Sequence, residues 1–288
     1  MDLYYLIISI IIIIIIIIIV VNTNYCSDIF TTYPKKINRE HQDNITQDTN
    51  NKSYLVFTSA GDNTQFYDHW LEENRNYDVW VVYYGKSDSN YDMYSKVVDR
   101  IWKRKGGKYQ NFHYIYNNYK DDLMKYNRFF LVDDDIVMST TDINNLFDIS
   151  VKYNLLVCQP AFTPESKISI PYLNRVIKGN ILRYTSFVEN NTPVFSKYAL
   201  LEFMKYYDPI LIGWGIDYLY IWALGMDKKD KYAIIDSIEC YNPPDTMKTN
   251  TTRELNNIEN HNNEFDYWIQ IKNKYNIPEN KYETYSTI

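Results

Sequence analysis

The sequence is poor in the residues that build several common kinds of site. Its three cysteines, Cys26, Cys158 and Cys240, are far apart, and their odd number and spacing argue against a disulfide framework or a zinc site of the CxxC type. Asp and Glu (36) outnumber Lys and Arg (30), so the overall charge does not favour nucleic-acid binding. The remaining balance, 45% hydrophobic and 23% charged, is sufficient for one domain with a full core.

The N-terminus lacks charge over a long apolar run. Leu3 to Val21 is uncharged and contains ten consecutive isoleucines, Ile10 to Ile19. As a helix this segment would span about 28 Å, close to the thickness of the hydrocarbon layer. The run is longer than the apolar part of a secretory signal peptide, and no basic residue precedes it. We therefore predict an uncleaved, single-pass transmembrane anchor rather than a signal peptide.

This interpretation divides the chain into three parts. Residues 1–21 form the anchor, residues 22–52 are a polar tether rich in Asn, Thr and Asp, and residues 53–288 form the domain. Sequons for N-glycosylation permit a domain on the lumenal or extracytoplasmic side of the membrane. The sequons begin at Asn44, Asn51, Asn190 and Asn250.

Short apolar runs alternate with helical patterns along the domain, which predicts an α/β fold built on an open parallel sheet with helices on both faces. Strands are predicted at 54–58, 78–85, 112–116, 128–132, 155–162 and 232–237, with extended segments at 183–190 and 192–196. Helices are predicted at 65–73, 97–103, 142–153, 197–207 and 265–275, and after Gly213 to about Leu224.

The run Phe129 to Met138, FFLVDDDIVM, places three carboxylates directly after a buried strand. Mutual repulsion and burial both disfavour ionised carboxylates there, and a bound cation is the simplest remedy. Alternate residues of a strand share a face, so we expect Asp133 and Asp135 to point together and Asp134 to point away. Two hard oxygen ligands suit Mg²⁺ or Mn²⁺, with a diphosphate completing the shell. A solvated acidic turn is the alternative.

The segment Gly213 to Asp217, GWGID, opens a predicted helix. Its glycines would let the backbone approach a ligand closely, and the positive end of the helix would favour an ionised Asp217. Such a carboxylate can act as a general base towards a hydroxyl. The alternative is that Asp217 only caps the helix.

The segment Ser59 to Asn63, SAGDN, follows the first predicted strand, where a nucleotide-binding loop belongs. Its single glycine is too few for a phosphate-binding fingerprint. Gly61 and Asp62 are therefore weak candidates for ligand contacts, and an ordinary turn with Asp62 or Asn63 as a helix cap is the alternative.

Together these blocks carry a family resemblance. The chain resembles the domain-of-unknown-function 707 family over about Ser53 to Asp245, and it is similar to glycosyltransferases of the GT-A fold. The resemblance implies a GT-A-like (nucleotide-diphospho-sugar transferase) three-layer sandwich. It also implies a nucleotide-sugar donor and a glycan, protein or lipid acceptor. The blocks, in order, are YLVFTSAGDNTQFYDHWL, YDVWVVYYG, FFLVDDDI, VCQPAF, SFVENNTPVFSK, GWGIDYLY and AIIDS.

The resemblance also implies roles for individual residues. The acidic triplet looks like a DxD signature, which holds Mn²⁺ or Mg²⁺ against the donor diphosphate. GWGID resembles the GWGxED segment of inverting enzymes, which makes Asp217 the catalytic base and gives Trp214 a sugar-stacking role. Glu189 is expected to contact the acceptor. The full set expected to contact donor or acceptor is Gly61, Asp62, Asp133, Asp134, Glu189, Trp214 and Gly215.

One position departs from the family pattern. Family members carry a His six residues after the Asp of the late strand, and counting from Asp236 leads to Asn242 here. An Asn carbonyl is a weaker ligand for Mn²⁺ than imidazole, so a ligand set of Asp133, Asp135 and Asn242 is expected to bind the metal less tightly. His261 is an alternative third ligand.

The sequence thus predicts a membrane-anchored, metal-dependent glycosyltransferase. The motif LVDDDIV also fits the nucleophile motif of haloacid-dehalogenase-type phosphohydrolases. Two strands precede it, however, and the later acidic segment of those enzymes is missing. A degenerate transferase that serves as a glycan-binding or scaffolding protein is the non-enzymatic alternative, supported only by Asn242.

Overall fold

The computed structural model of the protein describes residues 52–244 and 263–288, all within one compact unit. The predicted anchor, the tether up to residue 51 and His261 lie outside these residues. Within the described ranges, no helix has the length and apolar character needed to cross a membrane. The membrane anchor therefore stays a prediction.

A nine-stranded mixed sheet forms the centre of the described domain. Its strands are β1 Tyr54–Ala60, β2 Tyr77–Tyr83, β3 Arg100–Lys103, β4 Arg128–Leu131, β5 Val157–Phe162, β6 Arg183–Thr185, β7 Val194–Ser196, β8 Tyr232–Cys240 and β9 Thr284–Thr287. The helices are α1 Phe66–His69, α2 Asp88–Ser95, α3 Lys108–Asn118, α4 Lys120–Leu123, α5 Thr140–Lys152, α6 Pro171–Asn174, α7 Lys197–Met204, α8 Ile216–Leu224 and α9 Glu264–Tyr275.

The order of the strands defines a topological switch point at the carboxyl ends of β1 and β4. The order is β3-β2-β1-β4-β7-β5-β8-β6-β9, with β3, β2, β1 and β4 parallel and β7 antiparallel to both of its neighbours. The chain moves outward from β1 to β3 and then returns to β4 on the other side of β1. Ligands of open α/β sheets bind at such a switch point, beyond the carboxyl ends of the strands.

Helices cover both faces of the sheet. Along β1, Leu55 and Phe57 pack towards one buried cluster and Val56 towards the other, as the period of a strand requires. Helices α3, α7, α8 and α9 contribute to the first cluster, and α1, α2 and α5 to the second. This arrangement confirms the predicted α/β class with helices on both faces. The predicted parallel sheet was wrong, because β7, β6 and β9 enter the sheet in antiparallel pairs.

Two assignments of secondary structure were also wrong. Residues 97–103 were expected to form a helix, but Arg100–Lys103 is an edge strand paired in parallel with Trp80–Tyr83. Residues 112–116 were expected to form a strand and lie inside α3. Gly107 caps that helix, and its N–H donates to the side chain of Gln110. The buried residues of α3 include Tyr109, Phe112 and Ile115, and their spacing of three is helical rather than alternating.

Candidate active site

The acidic triplet lies in a turn beyond β4 rather than in the strand itself. Strand β4 ends at Leu131, and the N–H of Ile136 donates to the carbonyl oxygen of Asp133 at 3.3 Å. Strand alternation therefore does not determine where these three side chains point. We call residues 133–135 the acidic turn.

Asp134 joins the acidic turn to the loop after β1. Its Oδ2 accepts a 2.8 Å hydrogen bond from the N–H of Gly61, and its carbonyl oxygen accepts one from the N–H of Gln65 at 2.7 Å. The pKa of the Asp134 carboxyl is raised to about 8, mainly by burial and to a smaller extent by repulsion from Asp135. The loops after β1 and β4 are thus held together at the switch point.

Asp133 faces a lysine that the sequence interpretation did not identify. Nζ of Lys108 lies 2.8 Å from Oδ1 of Asp133, with the Lys108 side chain 7% exposed and that of Asp133 38% exposed. The same Nζ donates to the carbonyl oxygens of Asn190 at 2.6 Å and Asn191 at 2.9 Å. Burial lowers the pKa of Lys108, and Asp133 opposes that effect. The only sequence signal is the position of Lys108 at the start of a helix after Gly106 and Gly107.

The segment 189–191 connects the acidic turn to GWGID. The N–H of Asp133 donates to the carbonyl oxygen of Asn191 at 3.0 Å, and Nδ2 of Asn190 donates to the carbonyl oxygen of Gly213 at 2.6 Å. The backbone of Asn190 also favours the ionised form of the Asp217 carboxyl and so lowers its pKa. Two motifs about 80 residues apart in sequence therefore meet on either side of one short segment. We call residues 189–191 the bridging segment.

Asp217 lies in the first turn of α8. Its Oδ1 accepts a 3.1 Å hydrogen bond from the N–H of Tyr218, and the residue is half-buried. The pKa of the Asp217 carboxyl is raised to about 7, mainly by burial and to a smaller extent by repulsion from Glu189. A carboxylate with this pKa accepts a proton near neutral pH far more readily than an ordinary aspartate.

Gly215, the residue that caps α8, has a φ of +85°, in the left-handed region that favours glycine. A Cβ at this position would collide with the indole ring of Trp268. The second glycine of GWGID is therefore required by backbone conformation and by close packing. Its predicted contact with donor or acceptor stays a prediction.

Glu189 is a buried carboxyl that interacts electrostatically with Asp217. It is 3% exposed, its Oε1 accepts a 3.1 Å hydrogen bond from the N–H of Ser169, and its own N–H donates to Oε1 of Gln159 at 2.5 Å. Burial raises the pKa of its carboxyl. Its predicted contact with an acceptor stays untested, while its influence on Asp217 follows from its position.

The carboxylate of Asp62 is used within the protein. It accepts hydrogen bonds from the N–H groups of Lys86 at 3.0 Å and Ser87 at 3.2 Å, and from the hydroxyl of Tyr83. Burial opposes ionisation of Asp62, but these hydrogen bonds outweigh it and lower the carboxyl pKa. Asp62 thus organises the loop after β2, and its predicted contact with the donor stays a prediction.

Asn242 passes close to the acidic turn along the backbone. Its neighbour Tyr241 forms an isolated antiparallel bridge with Val137. The side-chain Nδ2 of Asn242 donates to the carbonyl oxygen of Lys167 at 2.9 Å, and its N–H donates to Oγ of Ser166 at 3.1 Å. Its role as a third metal ligand stays a prediction.

The chemistry of the acidic turn suits a hard cation. Among the described residues, no group of three or more His, Cys, Asp or Glu side chains could hold a metal ion. Mg²⁺, however, is commonly bound by one or two carboxylates together with phosphate oxygens of a substrate. Asp133 and Asp135, both at least partly exposed on one turn, fit that pattern.

Two exposed aromatic rings accompany GWGID. Trp214 is 52% exposed and Phe265 is 58% exposed, and their ring centroids are 6.2 Å apart. Phe265 lies on the exposed side of its helix, which buries Trp268 and Ile271 instead. Exposed apolar surface beside polar groups is typical of a binding site.

Comparison with solved structures finds likenesses with TM-scores below 0.5. TarS residues 1–349 from S. aureus match with a TM-score of 0.48 and 9% identity, over 66% of this chain and 60% of that one. GalNAc-T7 with UDP, GalNAc and Mn²⁺ matches with 0.46 and 12%, over 68% and 44%. A second TarS structure matches with 0.47 and 11%, over 76% and 43%.

These likenesses are distant. The matched part spans less than two thirds of each of the three chains. No family model matches this chain, and no curated protein matches it. Membership of the domain-of-unknown-function 707 family therefore stays a prediction, and a function has to be argued from the residues of the site.

Proposed function

We propose that the protein is a divalent-metal-dependent glycosyltransferase that moves a sugar from a nucleotide-sugar donor to a hydroxyl acceptor. The observation that carries the proposal is the bridging segment, which contacts the acidic turn on one side and GWGID on the other. A turn suited to a diphosphate and its cation thus lies across one short segment from a carboxylate suited to proton transfer.

The donor belongs at the switch point between β1 and β4. Asp133 and Asp135 would hold Mn²⁺ or Mg²⁺ together with the diphosphate, and Gly61 lies on the neighbouring loop. When bound, the cation would neutralise charge on the leaving diphosphate. Asp134 supports this arrangement, because its carboxyl group accepts a 2.8 Å hydrogen bond from the N–H of Gly61 and so connects the two loops.

Asp217 would act on the acceptor. The acceptor oxygen forms a bond to the anomeric carbon of the sugar, the bond from that carbon to the diphosphate oxygen breaks, and the hydroxyl proton passes to Asp217. Its pKa of about 7 leaves a substantial fraction ionised at neutral pH. Trp214, exposed at the start of the same motif, would stack against a sugar ring.

The proposal includes a membrane anchor in residues 3–21, with the domain on the lumenal or extracytoplasmic side. It rests on the uncharged run that includes Ile10 to Ile19. Membership of the domain-of-unknown-function 707 family is part of the same proposal, and the order of the sequence blocks supports it.

A second candidate is a transferase-like protein that binds glycans without turnover. The observation in its favour is Asn242, whose side-chain nitrogen bonds to the carbonyl oxygen of Lys167 at 2.9 Å where the family pattern has a histidine. Hydrolysis of a nucleotide sugar by the purified domain in the presence of Mn²⁺ would separate an enzyme from this alternative.

A nucleotide-sugar panel tests the proposal. Residues 53–288 would be screened by thermal shift with and without Mn²⁺, since a ligand that binds only the folded state raises the melting temperature. We expect one class of nucleotide sugar to stabilise the domain in a Mn²⁺-dependent manner and to be hydrolysed slowly. A panel with no stabilising ligand and no hydrolysis would contradict the proposal.

A further inference from the structure

Lys108 contacts both the acidic turn and the bridging segment. Its Nζ lies 2.8 Å from Oδ1 of Asp133 in the acidic turn. It also donates to two carbonyl oxygens of the bridging segment, that of Asn190 at 2.6 Å and that of Asn191 at 2.9 Å. This ammonium group thus connects the acidic turn directly to the bridging segment.

The three contacts use the full hydrogen-bonding capacity of the ammonium group. A lysine side chain has three donors, and each has an acceptor here. The side chain is 7% exposed, and burial of an unpaired charge would be strongly unfavourable. The contacts are therefore what allows Lys108 to occupy this position, and they direct its charge to the protein rather than to a bound phosphate.

The bridging segment transmits the position of Lys108 to the proposed base. Asn190 accepts from Lys108 through its carbonyl oxygen and donates through its side chain to the carbonyl oxygen of Gly213. Gly213 lies four residues before Asp217 in GWGID. Movement of Asn190 would therefore move the carboxylate that takes the acceptor proton.

We propose that Lys108 is a positioning residue that ties the acidic turn to the bridging segment, and through Asn190 to Asp217. In doing so it offsets the negative charge of Asp133. This inference rests on the proposed function for its catalytic consequence. The tie itself and the charge offset are properties of the protein that do not depend on turnover.

The two effects of Lys108 separate in two variants. Lys108→Met removes both the charge and the hydrogen bonds. Lys108→Gln removes the charge but retains an NH₂ group for the carbonyl oxygens. Lys103→Met is the matched control, because Lys103 is an exposed lysine paired with Asp88 and its loss changes the net charge by the same amount.

Amide hydrogen exchange measures whether Lys108 holds these segments together. We expect the amides of residues 188–193 and 213–218 to exchange roughly 10–100-fold faster in Lys108→Met, because local opening becomes easier once the buried contacts are lost. Lys103→Met should exchange like the wild type there. Exchange in Lys108→Met that equals the wild type in both segments would overturn the proposal.

The affinity for Mn²⁺ alone, measured by electron paramagnetic resonance, reports the effect of the Lys108 charge on the acidic turn. Loss of a positive charge beside Asp133 should tighten Mn²⁺ binding roughly tenfold in both Lys108 variants, since charges at such short range interact strongly in a partly buried site. A residue that only supports the fold would not tighten metal binding. Affinity that is unchanged or weaker in a folded Lys108→Gln protein would overturn the charge offset, and this variant decides the matter if Lys108→Met does not fold.

The kinetic consequence is a loss of turnover with little change in donor binding. We expect kcat for transfer to fall roughly 10–100-fold in Lys108→Met, as small misplacements of a catalytic group commonly cause, while KM for the donor stays within about threefold. A wild-type protein that binds no Mn²⁺ would contradict the metal in the proposed function. The exchange result would still decide whether Lys108 ties the two segments.

Discussion

Nδ2 of Asn190 donates a 2.6 Å hydrogen bond to the carbonyl oxygen of Gly213. Asn190 also begins one of the four sequons of the chain, and Nδ2 is the atom to which a glycan would be attached. The residue is half-buried, and attachment would break its contact with GWGID. The sequon therefore conflicts with the site that the structure builds.

We expect Asn190 to remain unmodified when the chain is produced in a secretory pathway. A glycan is bulky and needs a free surface position, whereas this side chain is held against Gly213. Glycopeptide mapping would measure the occupancy at each sequon. High occupancy at Asn190 in an active, folded protein would contradict the position of the bridging segment described above.

The pKa of Asp217, about 7, predicts the pH dependence of transfer. The base works only when it is ionised, so kcat/KM should rise about tenfold per pH unit below pH 7 and level off above it. A profile measured from pH 5 to 9 at saturating Mn²⁺ tests this expectation. A flat profile across that range would argue against a base with a raised pKa.

Glu189 provides a check on the cause of that pKa. Its carboxyl repels the ionised form of Asp217, so replacement by the neutral Gln should move the acid limb of the profile to lower pH. Four tyrosines also interact electrostatically with Asp217, namely Tyr109, Tyr218, Tyr220 and Tyr282. Their pKa values are all raised, so their hydroxyl groups stay neutral over this range. An unchanged limb in Glu189→Gln would leave burial as the whole cause.

The buried pair of Arg183 and Asp236 predicts a large effect on stability. Nε of Arg183 lies 2.7 Å from Oδ2 of Asp236, with side chains 1% and 0% exposed. Arg183 also donates to the carbonyl oxygens of Leu173 and Arg175. Arg183→Met should lower the free energy of unfolding by about 3–5 kcal/mol, because it leaves a buried carboxylate without its partner.

Chemical denaturation measures that loss, and Lys103→Met is its control. Lys103 pairs with Asp88 at the surface, where removal of one partner changes stability by about 0–1 kcal/mol. Equal effects of the two substitutions would show that the buried pair has no special role in holding the segment between β5 and β6.

The exposed pair of Trp214 and Phe265 predicts an effect on the acceptor. Both rings are more than half exposed, and Trp214 belongs to the motif that carries Asp217. We expect Trp214→Ala and Phe265→Ala to raise KM for a sugar acceptor by roughly 2- to 10-fold, since a stacked aromatic pair is worth about 0.5–1.5 kcal/mol. Donor KM should change little.

Met93→Ala serves as the control for this prediction. Met93 is an exposed apolar residue of α2, a helix on the opposite face of the sheet from α8 and α9. Kinetics with varied acceptor would show no change for this variant. If the aromatic variants also left acceptor KM unchanged, the acceptor would have to bind elsewhere.

Residue patterns predicted the class of the fold because the buried strands are strongly marked. The runs at 54–58, 78–85 and 128–132 lie at the centre of the sheet, where both faces are covered and nearly every residue is apolar. Arg100–Lys103 and Phe112–Tyr116 were assigned wrongly for opposite reasons. The first is an edge strand with few apolar residues, and the second is an aromatic-rich helix, and aromatic residues favour strands in isolation.

The site was predicted in part. The sequence indicated the acidic turn and GWGID as separate motifs, and the structure joins them through Asn190 and Asn191. Lys108 was missed because its partners, Asp133 and the carbonyl oxygens of the bridging segment, are distant in sequence. Main-chain acceptors leave no pattern in the side chains, so such a contact emerges only from the fold.

The most direct test of the proposed function compares Asp217→Asn with Asp135→Asn. A donor from the nucleotide-sugar panel would be used to measure donor binding and turnover of each variant in the presence of Mn²⁺. Asp217→Asn keeps the shape of the side chain but removes the proton acceptor. We expect donor binding to survive in this variant and turnover to fall roughly 10²–10⁴-fold, while Asp135→Asn weakens donor binding and its dependence on Mn²⁺. An Asp217→Asn protein with unchanged turnover would contradict the assignment of Asp217 as the base.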